Sequence, residues 1–440
     1  MLFPFHRKKY CLVLSGGGTK GIYEIGVWKA LRELHIPLEA VIGTSIGALN
    51  GLWVTQDDFA SAEKTWDQLS LDKVLQLPGN FSPPPPGTED WRTLDLLWRI
   101  YRRKGMLDNS PLRTLVQSQL KPERLKNSKL DYGIVSYNLS KIQPEVVFAK
   151  HLNPETLVDY LMASSTFPGF NLTSINRNLY LDGGLADNVP FEIARARGYR
   201  RLIVVDIGGI GLRKPINPWG TESVFIKNSD PLGHVLEFRR EMLQRAKLMG
   251  YLDTYKALSK YEGERYYLRP HLEWYKEWNA ILDSDGFSKS LPENLQDWKS
   301  RLPAQFRFYK NPSRFLMEMA AEALGLERLV VYSPEELTAG IMKGYAQLLE
   351  KVENDPLLEY KNIAGRLQAE WKRANILLGL GNRPALEVDL AMRKLGYAQT
   401  HPWVFDILLS MHPRLKAAKV FLYLAAHWSK HRLPSSPILP

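Results

Sequence analysis

Apolar side chains follow two different rhythms along this chain. Residues 10–15, YCLVLS, form a short apolar run of the kind a buried strand makes, and GGGTKG (16–21) interrupts it. IYEIGVWKALREL then places its apolar residues at helical spacing, LEAVIGTS reads as a second strand and IGALNGLWVT as a second helix. Strand, glycine loop, helix, strand, tight turn and helix predict a parallel sheet with right-handed crossovers. YGIVSYNL near 132–139 and RLIVVDIGG near 201–209 read as further strands, and PEVVFAK and NRNLYLDGG add to the sheet.

Between these stretches lies a helical insertion, roughly 57–128. It contains NFSPPPPGTED, an exposed loop because proline fits neither a helix interior nor a sheet ladder. The insertion closes on LDNSPLRTLVQSQL, where Ser110 is expected as N-cap and Pro111 as first helical residue. After about 213 the helical rhythm takes over and no run reads as a secure strand. The expected organisation is an α/β domain over 1–212, an α-helical region over 213–440, and a frayed tail, RLPSSPILP.

Composition narrows the setting. At 440 residues, 45% of them hydrophobic and 24% charged, the chain can bury a core in more than one domain. The formal charge is +11, but 25 of the 58 Lys and Arg and 21 of the 47 Asp and Glu fall in residues 1–212, so the excess is spread out. That favours diffuse attraction to an anionic membrane surface over a dedicated nucleic-acid stripe. Cys11 is the single cysteine, which excludes an intrachain disulfide and fits a reducing compartment. YCLVL is too short for the apolar core of a signal peptide, and no 18-residue apolar stretch occurs, so no transmembrane segment is expected. The expectation is a cytoplasmic protein that touches membranes peripherally.

Two glycine-rich stretches carry the candidate chemistry. GGGTKG satisfies G-x-G-x-x-G through Gly16, Gly18 and Gly21, yet the second strand ends in Gly43-Thr44-Ser45 with no acidic residue to hold a ribose. A phosphate-binding P-loop fails too, for want of a Lys-Ser/Thr pair at the right spacing. What remains is a nest of backbone N–H groups at a helix start, suited to an anion such as a tetrahedral oxyanion. Gly43-Thr44-Ser45-Ile46-Gly47 matches G-x-S-x-G, in which the glycines let a strand turn sharply into a helix and leave the serine exposed. Alone, the same residues describe an N-cap serine flanked by packing glycines. The nest one βαβ unit earlier favours the nucleophile, because adjacent parallel strands deliver both loops to one edge.

A serine nucleophile needs a base. Histidines 6, 35 and 151 precede the strand ending near Asp182, and histidines 234, 271, 401, 412, 427 and 431 lie in helix-like or tail segments, so none suits a triad. LYLDGGLADNVP sets Asp182 just past a short strand, with Gly183 and Gly184 permitting tight geometry, so Asp182 can act directly as a dyad partner if burial helps it. Asp206 is the second candidate base, and Asp187 is expected to help cap the helix after Pro190.

These stretches resemble the patatin-like phospholipases: a glycine-rich loop with a basic residue before its last glycine (Gly16, Gly17, Gly18, Thr19, Lys20, Gly21), the G-x-S-x-G elbow, and a later D-G-[AG] (Asp182, Gly183, Gly184). MASSTFPGF (162–170) is similar to the family's small-residue and proline segment. Lys20 stands where many members carry arginine, which keeps the charge but not the bidentate fork. The region after 213 is similar to helical extensions on some bacterial members. The resemblance implies a three-layer α/β/α fold with a mainly parallel central sheet. It also implies a serine hydrolase of lipid carboxylic esters, phospholipase A or lysophospholipase in kind, with Ser45 as nucleophile, Asp182 as proton acceptor, residues 16–21 as oxyanion hole, and neither metal nor cofactor. Two competing readings are a scaffolding member of the same fold that binds partners through its helical half, and a dinucleotide enzyme.

Overall fold

The computed structural model describes residues 8–77, 106–296, 311–354, 390 and 413–432. The proline run 83–86, the tail after 432, and histidines 6, 401 and 412 lie outside them. Contacts divide the chain into two compact units, Met1–Ser259 and Lys260–Pro440.

The first unit is built on a sheet of eight strands in the order β5-β6-β3-β2-β1-β7-β8, with β4 also pairing β3. Five run parallel: β1 (Tyr10–Leu14), β2 (Leu38–Thr44), β3 (Asp131–Asn138), β7 (Arg201–Asp206) and β8 (Glu222–Lys227). The antiparallel remainder is β4 (Gln143–Phe148), β5 (Thr173–Ile175) and β6 (Asn178–Asp182). The helices are α1 (Ile22–Glu33), α2 (Ile46–Thr55), α3 (Phe59–Asp67), α4 (Ser110–Gln119), α5 (Pro122–Asn127), α6 (Pro154–Ser164), α7 (Phe191–Ala196) and α8 (Arg240–Ala257).

Both faces of the central strands are buried, which is why they read as unbroken apolar runs. Cys11, Val13, Ala40, Ile42, Leu202 and Val204 share one core with Phe191 and Ala194 of α7. On the other face, Val41 and Tyr132 lie under α2, so close that a Cβ on Gly51 would meet the Tyr132 ring at 2.8 Å. Register then sets the site. Leu14 pairs with Gly43 and with Val205, so the loops after β1, β2 and β7 emerge at one edge. Thr44 pairs with Val135 on β3, and the next residue, Ser136, pairs with Asp182 at the end of β6. Two residues far apart in sequence thus reach the same level across one intervening strand.

The α/β unit runs past residue 212, where the sequence pattern suggested that it ends. β8 continues the parallel sheet, and α8 packs on α1 through close backbone approach at Gly26 and Gly250. Tyr23 Oη also donates to Asp253 Oδ2 at 2.9 Å. ESVFIK lacked a strand signature because it is an edge strand, only partly buried and interleaved with polar residues. The expected cap at Ser110 also moves by one residue: Asn109 holds that position, and the Ser110 N–H is taken by Asp108 Oδ1.

In the second unit the described residues form α9 (Leu272–Leu282), α10 (Asp285–Ser290), α11 (Glu293–Gln296), α12 (Pro312–Ala323), α13 (Pro334–Glu353) and α14 (Pro413–Arg432). A two-stranded parallel pair, β9 (Tyr267–Leu268) and β10 (Val331–Tyr332), accompanies them. Its core is aromatic: Trp278 stacks on Trp274 at 4.3 Å and on Phe421 at 5.3 Å between ring centroids. Among the described residues no helix is long and apolar enough to cross a membrane.

Candidate active site

Ser45 sits where β2 turns into α2, with φ 55° and ψ −126°. A non-glycine residue in the left-handed half of backbone space is strained, and the fold around it must hold it there. A capping serine keeps extended backbone angles and turns its hydroxyl onto an N–H of the first helical turn; Ser45 does neither. Its geometry is that of a nucleophile elbow. The flanking glycines let the turn close: a Cβ on Gly43 would lie 2.3 Å from the Gly47 carbonyl oxygen, and one on Gly47 only 2.6 Å from that of Leu14. The elbow's backbone is also anchored from outside. The Ser45 N–H donates to Ser164 Oγ at 2.9 Å, and Ser164 Oγ donates to the Val135 carbonyl at 2.6 Å.

Asp182 ends β6 with its carboxylate buried beside that serine. The Ser45 hydroxyl lies near enough to favour its ionised form, and Oδ1 accepts from the Gly184 N–H at 2.7 Å. Burial raises its pKa to about 6 against the pull of those two groups. A Cβ on Gly183 would meet the Val135 carbonyl oxygen at 2.3 Å, so this loop can pass against β3 only with glycine there.

Asp206 is turned elsewhere: its Oδ1 accepts from the Gly208 N–H at 3.0 Å and pairs with Arg213 at 3.2 Å. Asp187 does not cap the helix after Pro190; its Oδ1 accepts from Val189 N–H at 3.3 Å in a local turn, and burial lifts its pKa to about 6.

The glycine loop closes the site from the β1 side, and its donors divide unequally. The Gly16 N–H is spent on the Asn188 carbonyl at 3.1 Å and that of Thr19 on Val235 at 2.9 Å. Lys20 Nζ reaches the Gly208 carbonyl at 3.1 Å. Gly21 packs under Ile46, and its carbonyl accepts from Asn50 Nδ2 at 2.8 Å. The N–H groups of Gly17 and Gly18 are left without a partner among the described residues, and both glycines line the cavity that holds Ser45 and Asp182. Gly18 needs its identity twice over: its φ is +60°, and a Cβ would fall 2.2 Å from the Val235 carbonyl oxygen.

That cavity encloses about 420 Å³ and is overwhelmingly apolar. Ile46, Leu49, Leu52 and Trp53 of α2 line it along one helix face leading away from Ser45, and Phe167 and Ile210 stand on its wall. No histidine lines it among the described residues. Nor, among the described residues, does any group of three or more His, Cys, Asp and Glu side chains form a plausible metal site.

Three contributors escaped motif reading. Asn188, buried and lining the cavity, donates from Nδ2 to the Gly16 carbonyl at 3.2 Å. Ser164, whose Oγ holds the elbow's N–H, sits in the small-residue stretch 162–170. Asn50 ties Gly21 to Glu24, donating to Oε2 at 2.7 Å, and accepts from Trp66 Nε1 at 3.0 Å. Glu24 is buried, and desolvation raises its pKa well above the ordinary carboxylate value.

The chain matches the family described as patatin-like phospholipase over residues 12–195. Patatin-like phospholipase domain-containing protein 6 of Mus musculus is 25% identical over 287 residues, covering 60% of this chain and 19% of that protein. Lysophospholipase NTE1 of Eremothecium gossypii is 26% identical over 288 residues, covering 63% of this chain and 17% of that protein. This chain thus spans less than a fifth of the length of either relative. VipD from Legionella pneumophila aligns at a TM-score of 0.39 and 13% identity, over 97% of this chain and 91% of that one. The matched stretch begins in β1 and ends in α7, taking in the glycine loop, the serine elbow and the aspartate loop, so over these residues the chain is similar to the patatin-like phospholipases.

Proposed function

We propose that this protein hydrolyses carboxylic esters of acyl lipids through Ser45 and Asp182. The observation that carries the reading is that both side chains line one apolar cavity, the serine hydroxyl near enough to favour the ionised form of the carboxylate, beside the uncommitted N–H groups of Gly17 and Gly18. Ser45 Oγ attacks the ester carbonyl carbon while its proton passes to Asp182, whose raised pKa makes it a better base than an exposed carboxylate. The carbonyl oxygen becomes an oxyanion held by the two glycine N–H groups. Collapse of this intermediate breaks the ester C–O bond, and the alcohol leaves with the proton from Asp182. Water then attacks the acyl-serine, gives its proton to Asp182, and the fatty acid departs as Ser45 recovers the proton.

The cavity supports a long apolar acyl group, and the names of the relatives, a lysophospholipase among them, point to phospholipid or lysophospholipid as the donor. Labelling by a fluorophosphonate probe, run beside release of fatty acid from a phospholipid panel, tests the reading. Ser45→Ala should abolish both, and Asp182→Asn should reduce both by orders of magnitude. Unchanged labelling and turnover in the two variants would end the assignment.

A further inference from the structure

The cavity opens through a rim with an unusual surface. Phe167 and Ile210 both line the cavity and both face solvent, 41% and 64% exposed. Leu185 and Leu212 are exposed alongside them, at 41% and 55%. These residues are neighbours because the 208–213 segment lies along the aspartate loop: the Leu212 N–H donates to the Gly184 carbonyl at 2.8 Å, and the Leu212 carbonyl accepts from the Asn188 N–H at 2.8 Å. Large exposed apolar residues grouped at the mouth of one cavity mark an interaction surface, in contrast to those scattered singly.

Cations border the same rim. Lys20 Nζ rests on the Gly208 carbonyl at 3.1 Å, and Arg213 Nη2 lies 3.8 Å from where a Cβ of Gly208 would be. Lys20 is held below its ordinary pKa by burial and then by the Arg213 charge, so the two cations repel across this spot. Lys214 follows next in the exposed run. Asp206, which pairs with Arg213, and Asp187, which the Lys214 charge reaches, are buried, so the exposed charged groups of this run are the cations.

We infer that this rim, Phe167, Leu185, Ile210 and Leu212 bordered by Lys20, Arg213 and Lys214, is the face that docks on an anionic membrane surface and opens the cavity toward the bilayer. Apolar side chains over which a lipid must slide, bordered by cations at the level of its head groups, complement such a surface in both respects. The inference draws its purpose from the lipid-hydrolase reading, while its geometry stands without it.

Vesicle flotation with Ser45→Ala protein measures docking apart from turnover. Phosphatidylcholine vesicles with and without phosphatidylglycerol serve as probes, at low and high salt. Binding should favour the anionic vesicles and weaken with salt. Leu185→Ser with Leu212→Ser should lower it about tenfold or more, and Lys214→Glu, an exposed change with little bearing on folding, at least about fivefold on anionic vesicles alone. Thermal unfolding of each variant verifies the fold. Full-strength binding by both variants, or binding indifferent to lipid charge and salt, overturns the inference. If docking depends on these residues but fluorophosphonate labelling and lipid release fail in the wild type, the hydrolase reading falls and the docking face stands.

Discussion

Gly16 and Asn188 exchange two hydrogen bonds across 172 positions of sequence: the Gly16 N–H donates to the Asn188 carbonyl, and Asn188 Nδ2 donates to the Gly16 carbonyl. The pair locks the glycine loop, which carries the free N–H groups, to the loop that carries Asp182. There is no room for substitution on the glycine side, since a Cβ there would meet Asn188 Oδ1 at 2.4 Å. Asn188→Ala keeps the backbone half of the exchange and leaves a buried carbonyl unpaired, a cost of about 1–3 kcal/mol in stability. Because it loosens the loop against the base, lipid-ester kcat should fall about tenfold to a hundredfold. Denaturant titration and steady-state kinetics check the two effects, and an unchanged kcat would show that Asn188 does not position the loop.

In the proposed reaction the carboxylate of Asp182 must be ionised to accept the serine proton, and its pKa is raised to about 6. The profile of kcat/KM against pH should therefore rise tenfold per unit up to about pH 6 and level above it. Stability runs the other way. A carboxyl whose pKa is raised on folding favours the fold at pH values below its unfolded pKa, and that contribution is lost as pH climbs through about 6. At pH 8 the Asp182→Asn protein should accordingly unfold at a higher temperature than wild type while being nearly inactive. A Tm at or below that of wild type would argue against a desolvated charge at this position.

The elbow tests how little space the strand-to-helix turn has. A Cβ on Gly47 would lie 2.6 to 2.7 Å from the backbone of Leu14 and Ser15, in a central strand that cannot retreat. Gly47→Ala should cost about 1–3 kcal/mol by overpacking, seen as a lower Tm. It should also lower turnover, because relief of the clash shifts α2 and with it Ser45.

Chain-length preference should depend on Trp53. It lies eight residues beyond Ser45 on the face of α2 that lines the cavity, about 12 Å along the helix. Its indole donates to Gln119 Oε1 at 3.3 Å, which holds the ring across that end of the groove. Trp53→Leu removes the ring at a stability cost below the ~3–5 kcal/mol of truncation to alanine. A series of ester substrates of increasing acyl length should show the optimum moving to longer chains, each added buried methylene being worth up to about 0.8 kcal/mol. An unmoved optimum would place the acyl chain elsewhere.

Much of this architecture is legible one residue at a time, because local rules produce it. The apolar runs that became β1, β2, β3 and β7 are buried on both faces, and the glycines at 18, 43, 47 and 183 mark places where backbone must meet backbone. Ser45 between its glycines announces a turn whose strain the structure then displays at φ 55°. The order of these stretches along the chain already pointed to an α/β fold and to a resemblance to the patatin-like phospholipases.

Other features depend on neighbours that no local pattern reveals. That β8 and α8 complete the first unit follows from pairing with β7 and packing on α1, a partnership of edge strand and helix that their own composition leaves open. Asp182 and Asp206 both end strands at this edge, and tertiary packing separates them: Asp182 lines the cavity with Ser45, whereas Asp206 accepts from the Gly208 N–H and pairs with Arg213. Two of the loop's N–H groups are committed for the same reason: Asn188 and Val235, remote in sequence, take those of Gly16 and Thr19. Backbone shape is written in single residues and their spacing, whereas the availability of a donor or the pKa of a carboxylate is set by what tertiary packing places against it.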